Sequence, residues 1–181
     1  MTSQDTSEEV QLAAVADVAI PGSFDAFYRS EFPRMVNIAY ALSGSRLAAE
    51  DLAQDAMIAA HREWDRVGAL DKPGAWTRRV VINKAASLYQ RRMAELRAVA
   101  RLGPFRGSLP QALDVDAEQL WDEVRRLPRR QAQAIVLFYV DDMTVATITE
   151  IMECTESTVR VHLHKARQTL AARLQLQGEI E

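Results

Sequence analysis

The stretch TVATITEIMECTESTVRVHLHKAR, residues 144–167, decides the fold of this chain. It predicts a short helix after the N-cap Thr144, a turn at residues 153–155, and a longer helix after the N-cap Thr155. Apolar residues recur at helical spacing in both helices: Val145, Ile148, Ile151 and Met152 in the first, then Val159, Leu163, Ala166 and Leu170 in the second. Two helices joined by so short a turn are typical of a helix-turn-helix.

The second helix of this stretch has a polar and basic outer face. Its members are Ser157, Arg160, Val161, His164 and Lys165, and no acid occurs between Glu156 and Glu179. A helix of this size and charge fits a DNA major groove. The same pattern also describes an ordinary αα-hairpin inside a helical bundle, so this stretch alone leaves both interpretations open.

Length and composition limit the possible domain number, location and cysteine chemistry of this chain. Its 181 residues suit one domain or two small ones, and 48% hydrophobic residues are enough for a core. The sequence has no apolar run of membrane-spanning length and no signal-peptide pattern, so we expect a cytoplasmic protein. The single Cys154 excludes an internal disulfide and a multi-cysteine zinc site, and we expect it to pack in the turn.

Charge is distributed in patches. The net charge of −3 argues mildly against a simple nucleic-acid binder, but residues 1–22 carry four acids and no base. Residues 72–92, in contrast, carry six bases and no acid. A protein that meets both DNA and a protein partner would have such patches, although many other soluble proteins have them too.

The order of helices and breakers predicts an all-α fold of two small helical domains joined by a flexible linker. We expect one helix from Ser23, a new one at Pro33 that ends at Gly44, and another from Ser45 to about Val67. The predicted units are an acidic tail (1–22), a first domain (23–97), a Gly- and Pro-rich linker (98–113), a second domain with the helix-turn-helix (114–175) and a tail (176–181).

Two helix faces in the first domain stand out. Asp51, Gln54 and Asp55 share a face that should be exposed, and no His or Cys at ligand spacing accompanies them. They are therefore either a solvated surface or a protein-docking face. Trp76 and Arg79 share an outer face with Asn83, which suits unpaired bases and phosphates, unless Trp76 is half-buried against a neighbouring helix.

These residues resemble a known family. FDAFYRSEFPRMVNIAYALSG, AEDLAQDAMIAAHREW and PGAWTRRVVINKAASLYQRR are similar to region 2 of sigma-70 factors of the extracytoplasmic-function (ECF) type, and residues 127–167 are similar to region 4. The resemblance covers about residues 24–174, in the family's order. It implies a transcription initiation factor that binds core RNA polymerase, through the β′ clamp and the β subunit, and directs it to selected promoters.

The resemblance also implies roles for particular residues. Region 4 would read the −35 element with Ser157, Thr158, Arg160, Val161, His164 and Lys165. Region 2 would open and read the −10 element with Lys72, Trp76, Arg79, Asn83, Arg91 and Arg92. Asp51, Gln54 and Asp55 would bind the polymerase.

The resemblance further implies which partners and cofactors to expect. It implies an anti-sigma factor, often membrane-anchored, but no catalytic residue, metal, cofactor, small-molecule substrate or membrane insertion. The protein would not be an enzyme, because the catalytic centre belongs to the polymerase.

Three positions depart from the family pattern. Met57 stands where an aromatic residue is usual, His61 where Trp is common, and Glu153 where the turn usually has Gly. A non-glycine residue in the left-handed region is strained, so we expect the turn to be reshaped. Two other classes remain open: a dimeric helix-turn-helix repressor, which leaves residues 23–93 unexplained, and a protein-only adaptor, which leaves the basic faces unexplained.

Overall fold

The computed structural model describes residues 22–100 and 115–178. Within these ranges all regular structure is helical, which confirms the predicted all-α class. The first unit contains α1 (Phe24–Ser43), α2 (Arg46–Arg62), α3 (Trp64–Val67) and α4 (Pro73–Ala100). The second contains α5 (Val115–Arg125), α6 (Arg129–Tyr139), α7 (Val145–Met152) and α8 (Glu156–Gly178). The predicted acidic tail, most of the predicted linker and residues 179–181 lie outside the described residues.

Helix α1 is a single helix, so the prediction of two helices separated by Pro33 is wrong. Pro33 is exposed, and its missing N–H removes one hydrogen bond. The residues after it, including Met35 and Ile38, are fully buried, and their burial outweighs that loss. The predicted ends are confirmed, because Ser23 accepts a hydrogen bond from the Ala26 N–H and Gly44 ends the helix at φ 71°.

The predicted helix from Ser45 to Val67 is divided in two. Helix α2 ends at Arg62, and the short α3 begins at Trp64. The break places the Trp64 ring against Phe24 and Phe27, with ring centroids 5.3 and 5.0 Å apart. Aromatic contacts with a segment that is distant in sequence therefore break a stretch whose local sequence predicts one continuous helix.

The two helical units pack against each other in a continuous core. Core residues from α1, α2 and α4 belong to the same apolar cluster as those from α6, α7 and α8. Helix α4 is central to this packing, since it contacts α1 and α2 on one side and α6 and α7 on another. At the edges of this core, Leu88 of α4 and Tyr139 of α6 are exposed.

Candidate nucleic-acid interface

The helix-turn-helix has the predicted caps. The Thr144 hydroxyl accepts a hydrogen bond from the Thr147 N–H at 3.2 Å, and the Thr155 hydroxyl accepts one from the Thr158 N–H at 3.3 Å. Glu153 lies in the left-handed region at φ 51° and ψ 53° and ends α7. The prediction that the missing glycine would reshape this turn is therefore wrong: the turn keeps its form, and Glu153 carries the strain.

Helix α8 buries one side and exposes the other, as predicted. Val159, Leu163, Ala166 and Leu170 are buried, whereas Ser157, Arg160, Val161, His164 and Lys165 are exposed. Thr158 is half-buried, and its hydroxyl lies 2.9 Å from that of Thr155. Burial lowers the pKa of His162, with help from Arg130 and Lys165. The outer face is thus a convex, exposed surface of hydroxyl, amine and guanidinium groups.

The second unit covers part of the predicted −10 face, which lies on α4 and on Lys72 just before it. Lys72 pairs with Glu150, and Arg79 donates to the Glu150 and Ile151 carbonyls and to the Glu153 carboxylate. Asn83 accepts from Arg129 at 2.8 Å. Trp76 is half-buried, as one of the two interpretations predicted, and the Arg66 guanidinium lies 5.8 Å from its ring centroid. Arg91 and Arg92, farther along α4, are exposed.

Arg78 on the same helix forms a buried ion cluster that sequence analysis missed. Its guanidinium donates to Glu31 of α1 at 2.6 Å and to Asp141, which follows α6. The Arg78 and Asp141 side chains are only 5% and 4% exposed. Burial by itself would lower the pKa of Arg78, but the hydrogen bonds and charges of Asp141 and Glu31 outweigh it and raise that pKa. The cluster joins the two units through three elements.

The predicted protein-docking face of α2 is exposed. Asp51, Gln54 and Asp55 all lie at the surface, and Asp55 pairs with Lys84 of α4 at 2.8 Å. Two apolar residues beside them, Leu47 and Ile58, are 73% and 49% exposed and were not predicted from the sequence. Their spacing with Asp51 and Gln54 (i, i+4, i+7, i+11) could have revealed one continuous stripe.

A shallow groove borders this stripe between α1 and α2. Its lining residues are Phe24, Tyr28, Gln54, Met57, Ile58, His61 and Arg62. The two family departures on α2 have packing roles here: Met57 is buried, and the His61 ring contacts the Phe24 ring edge-on at 4.7 Å. Aliphatic and aromatic groups beside carboxylates suit a protein partner better than a phosphate backbone.

The described part of the chain holds no cluster of three or more His, Cys, Asp or Glu residues that could bind a metal ion. Among the same residues, no helix combines the length and the apolar character needed to cross a membrane. Among the described residues, the predicted contacts lie on three surfaces: the outer face of α8, the face of α4 and the stripe on α2.

Two family profiles match the chain. Sigma-70 region 2 matches residues 27–95, and Sigma-70, region 4, matches residues 117–170. Among curated proteins, the ECF RNA polymerase sigma factor SigW of Bacillus subtilis is 25% identical over 155 residues, which is 78% of this chain and 83% of that protein. The ECF RNA polymerase sigma factor SigM of Mycobacterium tuberculosis is 27% identical over 150 residues, 82% of this chain and 76% of its own length.

Solved structures share the fold. The sigma factor RpoE from Bartonella quintana, in complex with the anti-sigma factor NepR, has a TM-score of 0.63 at 22% identity, covering 84% of this chain and 96% of that one. CnrH in complex with the cytosolic domain of CnrY has a TM-score of 0.65 at 20% identity, covering 91% and 96%. Both comparisons show the same helical architecture.

Proposed function

Because the chain belongs to the sigma-70 family, ECF type, and so directs core RNA polymerase to promoters, we propose how its surfaces divide that task. The outer face of α8 reads the −35 major groove. The α4 face of Trp76, Arg79 and Asn83 binds the separated strand near −10, together with Lys72 just before the helix and Arg91 and Arg92 farther along it. The α2 stripe binds the β′ clamp of the polymerase, and the second unit also contacts the β subunit. The protein is a specificity subunit and not an enzyme.

The exposed face of α8 is the observation that carries the proposal. Six positions from Ser157 to Lys165 can present polar, basic or small apolar groups to base edges and phosphates, and no acid lies on the helix after Glu156. The acids of the α2 stripe, which would repel phosphate, lie on a different unit. Separate surfaces for DNA and for protein are what an initiation factor requires.

The division of surfaces between DNA and polymerase also indicates where the protein works and which partners it has. We propose that the protein works in the cytoplasm, at the nucleoid when it is active. The solved structures with a similar fold are complexes of RpoE with the anti-sigma factor NepR and of CnrH with the cytosolic domain of CnrY. These complexes support an anti-sigma factor as a further partner of this protein. A membrane-anchored regulator of that kind would hold the inactive protein at the membrane.

A cleavage reagent tethered to α8 tests the proposal. Gln168 is exposed on the outer side of α8 beyond the proposed contacts, and Cys154→Ser removes the native thiol, so Gln168→Cys gives one attachment point for iron-EDTA. We expect cleavage of promoter DNA near −35 only when core polymerase is present. Cleavage by the free protein at two symmetric half-sites would indicate a dimeric repressor and contradict the proposal.

Replacement of Arg160 should weaken promoter binding by the holoenzyme. Its side chain is exposed and pairs with Glu156 of the same helix at 3.3 Å, so it is available to DNA. A lost base contact would cost about 1–3 kcal/mol and relax specificity at one position. A lost phosphate contact would weaken all sequences alike and lower the salt slope by about one. Unchanged affinity of Arg160→Ala at low salt would show that α8 does not bind as proposed.

Trp76→Ala should impair promoter opening more than closed-complex binding. Stacking of an aromatic ring on an unpaired base is worth about 1–3 kcal/mol, and this interaction exists only after strand separation. Permanganate footprinting on a normal and a pre-melted promoter distinguishes the two steps. An equal defect on both templates would assign Trp76 a folding role against Arg66 and its neighbours instead.

A further inference from the structure

An exposed arginine of α8, Arg167, is held by two aromatic side chains at the end of α6. Its Nε–H donates to the Tyr139 hydroxyl at 2.9 Å. Its guanidinium carbon lies 5.4 Å from the centroid of the Phe138 ring and 5.5 Å from that of the Tyr139 ring. Phe138 is half-buried and Tyr139 is 54% exposed, so the two rings support the guanidinium at the surface of the second unit.

The charge of Arg167 is not balanced by an acid. Among the described residues its contacts are with these two neutral side chains, and no carboxylate forms an ion pair with it. The other two arginines of α8 differ in this respect: Arg160 pairs with Glu156 at 3.3 Å, and Arg173 pairs with Glu123 at 3.0 Å. A cation that is held in place without a counter-charge suits an anionic ligand from outside the chain.

The aromatic contacts prepare the guanidinium for such a ligand. A free arginine side chain loses several rotatable bonds when it binds, and this loss weakens binding. Here the two rings and the Tyr139 hydroxyl restrict the side chain before any ligand arrives. The hydroxyl engages Nε, and the two terminal nitrogens donate no hydrogen bond within the described part of the chain. Guanidinium N–H groups match the spacing of phosphate oxygens.

Arg167 extends the outer face of α8 toward its C-terminal end. It follows Arg160 by seven residues, which corresponds to about two helical turns and about 10 Å along the helix axis, so the two side chains leave the helix in nearly the same direction. A recognition helix places its N-terminal residues against base edges. Because the major groove is about 12 Å wide, a side chain two turns farther along reaches the phosphates at the edge of the groove.

We propose that Arg167 binds a backbone phosphate at the edge of the −35 element, an inference that rests on the proposed function of α8. Tyr139 and Phe138 are positioning residues for this contact, because they act through the guanidinium. The contact carries no base information. It fixes the depth and register of α8 in the groove, so that the residues from Ser157 to Lys165 meet the correct bases.

The salt dependence of promoter binding by the holoenzyme tests the phosphate contact. Arg167→Gln removes the charge at an exposed position, which the fold should tolerate. Each phosphate contact contributes about 0.9 to the slope of log affinity against log salt concentration. We expect Arg167→Gln to bind about 10-fold more weakly at about 50 mM KCl and almost equally at about 500 mM, with an unchanged −35 base preference. Tyr139→Phe keeps the charge, so it should weaken binding about 2-fold and leave the slope unchanged.

The matched control is Arg173→Gln. It makes the same change on the same helix, but at an arginine that Glu123 already neutralises, and Arg126 remains to pair with Glu123. This variant should bind like the wild type at every salt concentration. A slope for Arg167→Gln equal to that of the control would overturn the proposal. A loss that is the same at all salt concentrations would assign Arg167 a folding role instead, and a changed base preference would assign it a base contact; either result would also overturn the proposal.

Neutral phosphates test the same contact from the side of the DNA. Methylphosphonates replace the phosphates in and beside the −35 element one at a time, and each removes one negative charge. At one position the wild-type holoenzyme should lose about 10-fold in affinity at low salt, and Arg167→Gln should lose nothing further there. If the two losses add at every position, Arg167 binds no phosphate. Failure of the proposed function is distinguishable, because the wild-type holoenzyme would then bind intact and scrambled −35 elements equally well.

Discussion

Reversing two charges on the α2 stripe, Asp51→Arg with Asp55→Arg, is expected to abolish assembly with core RNA polymerase. The stripe presents carboxylates beside the exposed Leu47 and Ile58, and we propose that it meets basic and polar groups of the β′ clamp. Charge pairs at the rim of an interface are individually weak, but like charges placed against each other cost several kcal/mol. Co-elution with core polymerase on a sizing column measures the effect.

The fold should tolerate this double change. Both side chains are exposed, and among the described residues the change removes one ion pair, the surface pair of Asp55 with Lys84, worth about 1 kcal/mol or less. The matched control is Asp65→Arg with Asp71→Arg, which makes the same change in net charge at exposed acids off the stripe. Normal co-elution of the stripe variant, or equal loss in the control, would refute docking through this face. A thermal melt of each variant shows that the comparison is made between folded proteins.

Arg78→Met is expected to give the largest loss of stability in the packed form of the protein. Methionine fills much of the space of arginine, but among the described residues it leaves the buried Asp141 carboxylate with Arg34 as its one ion-pair partner, at 3.9 Å. Breaking one side of a buried ion pair costs about 3–5 kcal/mol, because a charge is left in the interior without compensation. Urea titration measures the cost.

The way in which Arg78→Met loses stability shows whether the Arg78 cluster holds the two units together. If the two units can part, the variant should remain helical while the packing between the units is lost, since opening hydrates Asp141. Adding Asp141→Asn removes the buried charge and should restore a large part of the stability. If single and double variants are equally unstable, an uncompensated Asp141 is not the cause. If the single variant keeps its stability, the cluster does not hold the units together.

Local rules predicted the elements well. Thr144, Thr155 and Ser23 cap helices where hydroxyl residues precede apolar periodicity, and Gly44 ends α1 in the left-handed region. Both sides of α8 follow from 3.6-residue spacing alone, and the exposure of Asp51, Gln54 and Asp55 follows in the same way. These features depend on neighbours within one or two turns, which the sequence contains.

Features that depend on distant partners were not predictable. Helical spacing shows that Trp76, Arg79 and Asn83 share a face of α4, but not that another unit covers it. Lys72 and Glu150 are 78 residues apart in sequence, and nothing local connects them. The stretch of residues 72–92 contains six bases and no acid, yet four of those bases pair with carboxylates from other elements: Lys72, Arg78, Arg79 and Lys84.

Whether a helix continues or breaks at a given residue also depends on tertiary packing. Pro33 lies within α1 because the residues after it are buried, whereas α2 ends at Arg62 without any breaker residue. There the aromatic contacts of Trp64 with Phe24 and Phe27 favour a separate short helix. In both places, the energy of burying side chains is larger than the local preference of the backbone.

Transcription by purified components tests the central claim most directly. Core RNA polymerase is incubated with a library of promoter fragments, with and without this protein, and the transcripts are sequenced. The account predicts that the protein yields new transcripts from a subset of fragments that share elements near −35 and −10. It also predicts that Asp51→Arg with Asp55→Arg yields none, and that Arg160→Ala changes the −35 preference or weakens it. Transcripts no different from those of core polymerase alone would contradict the account.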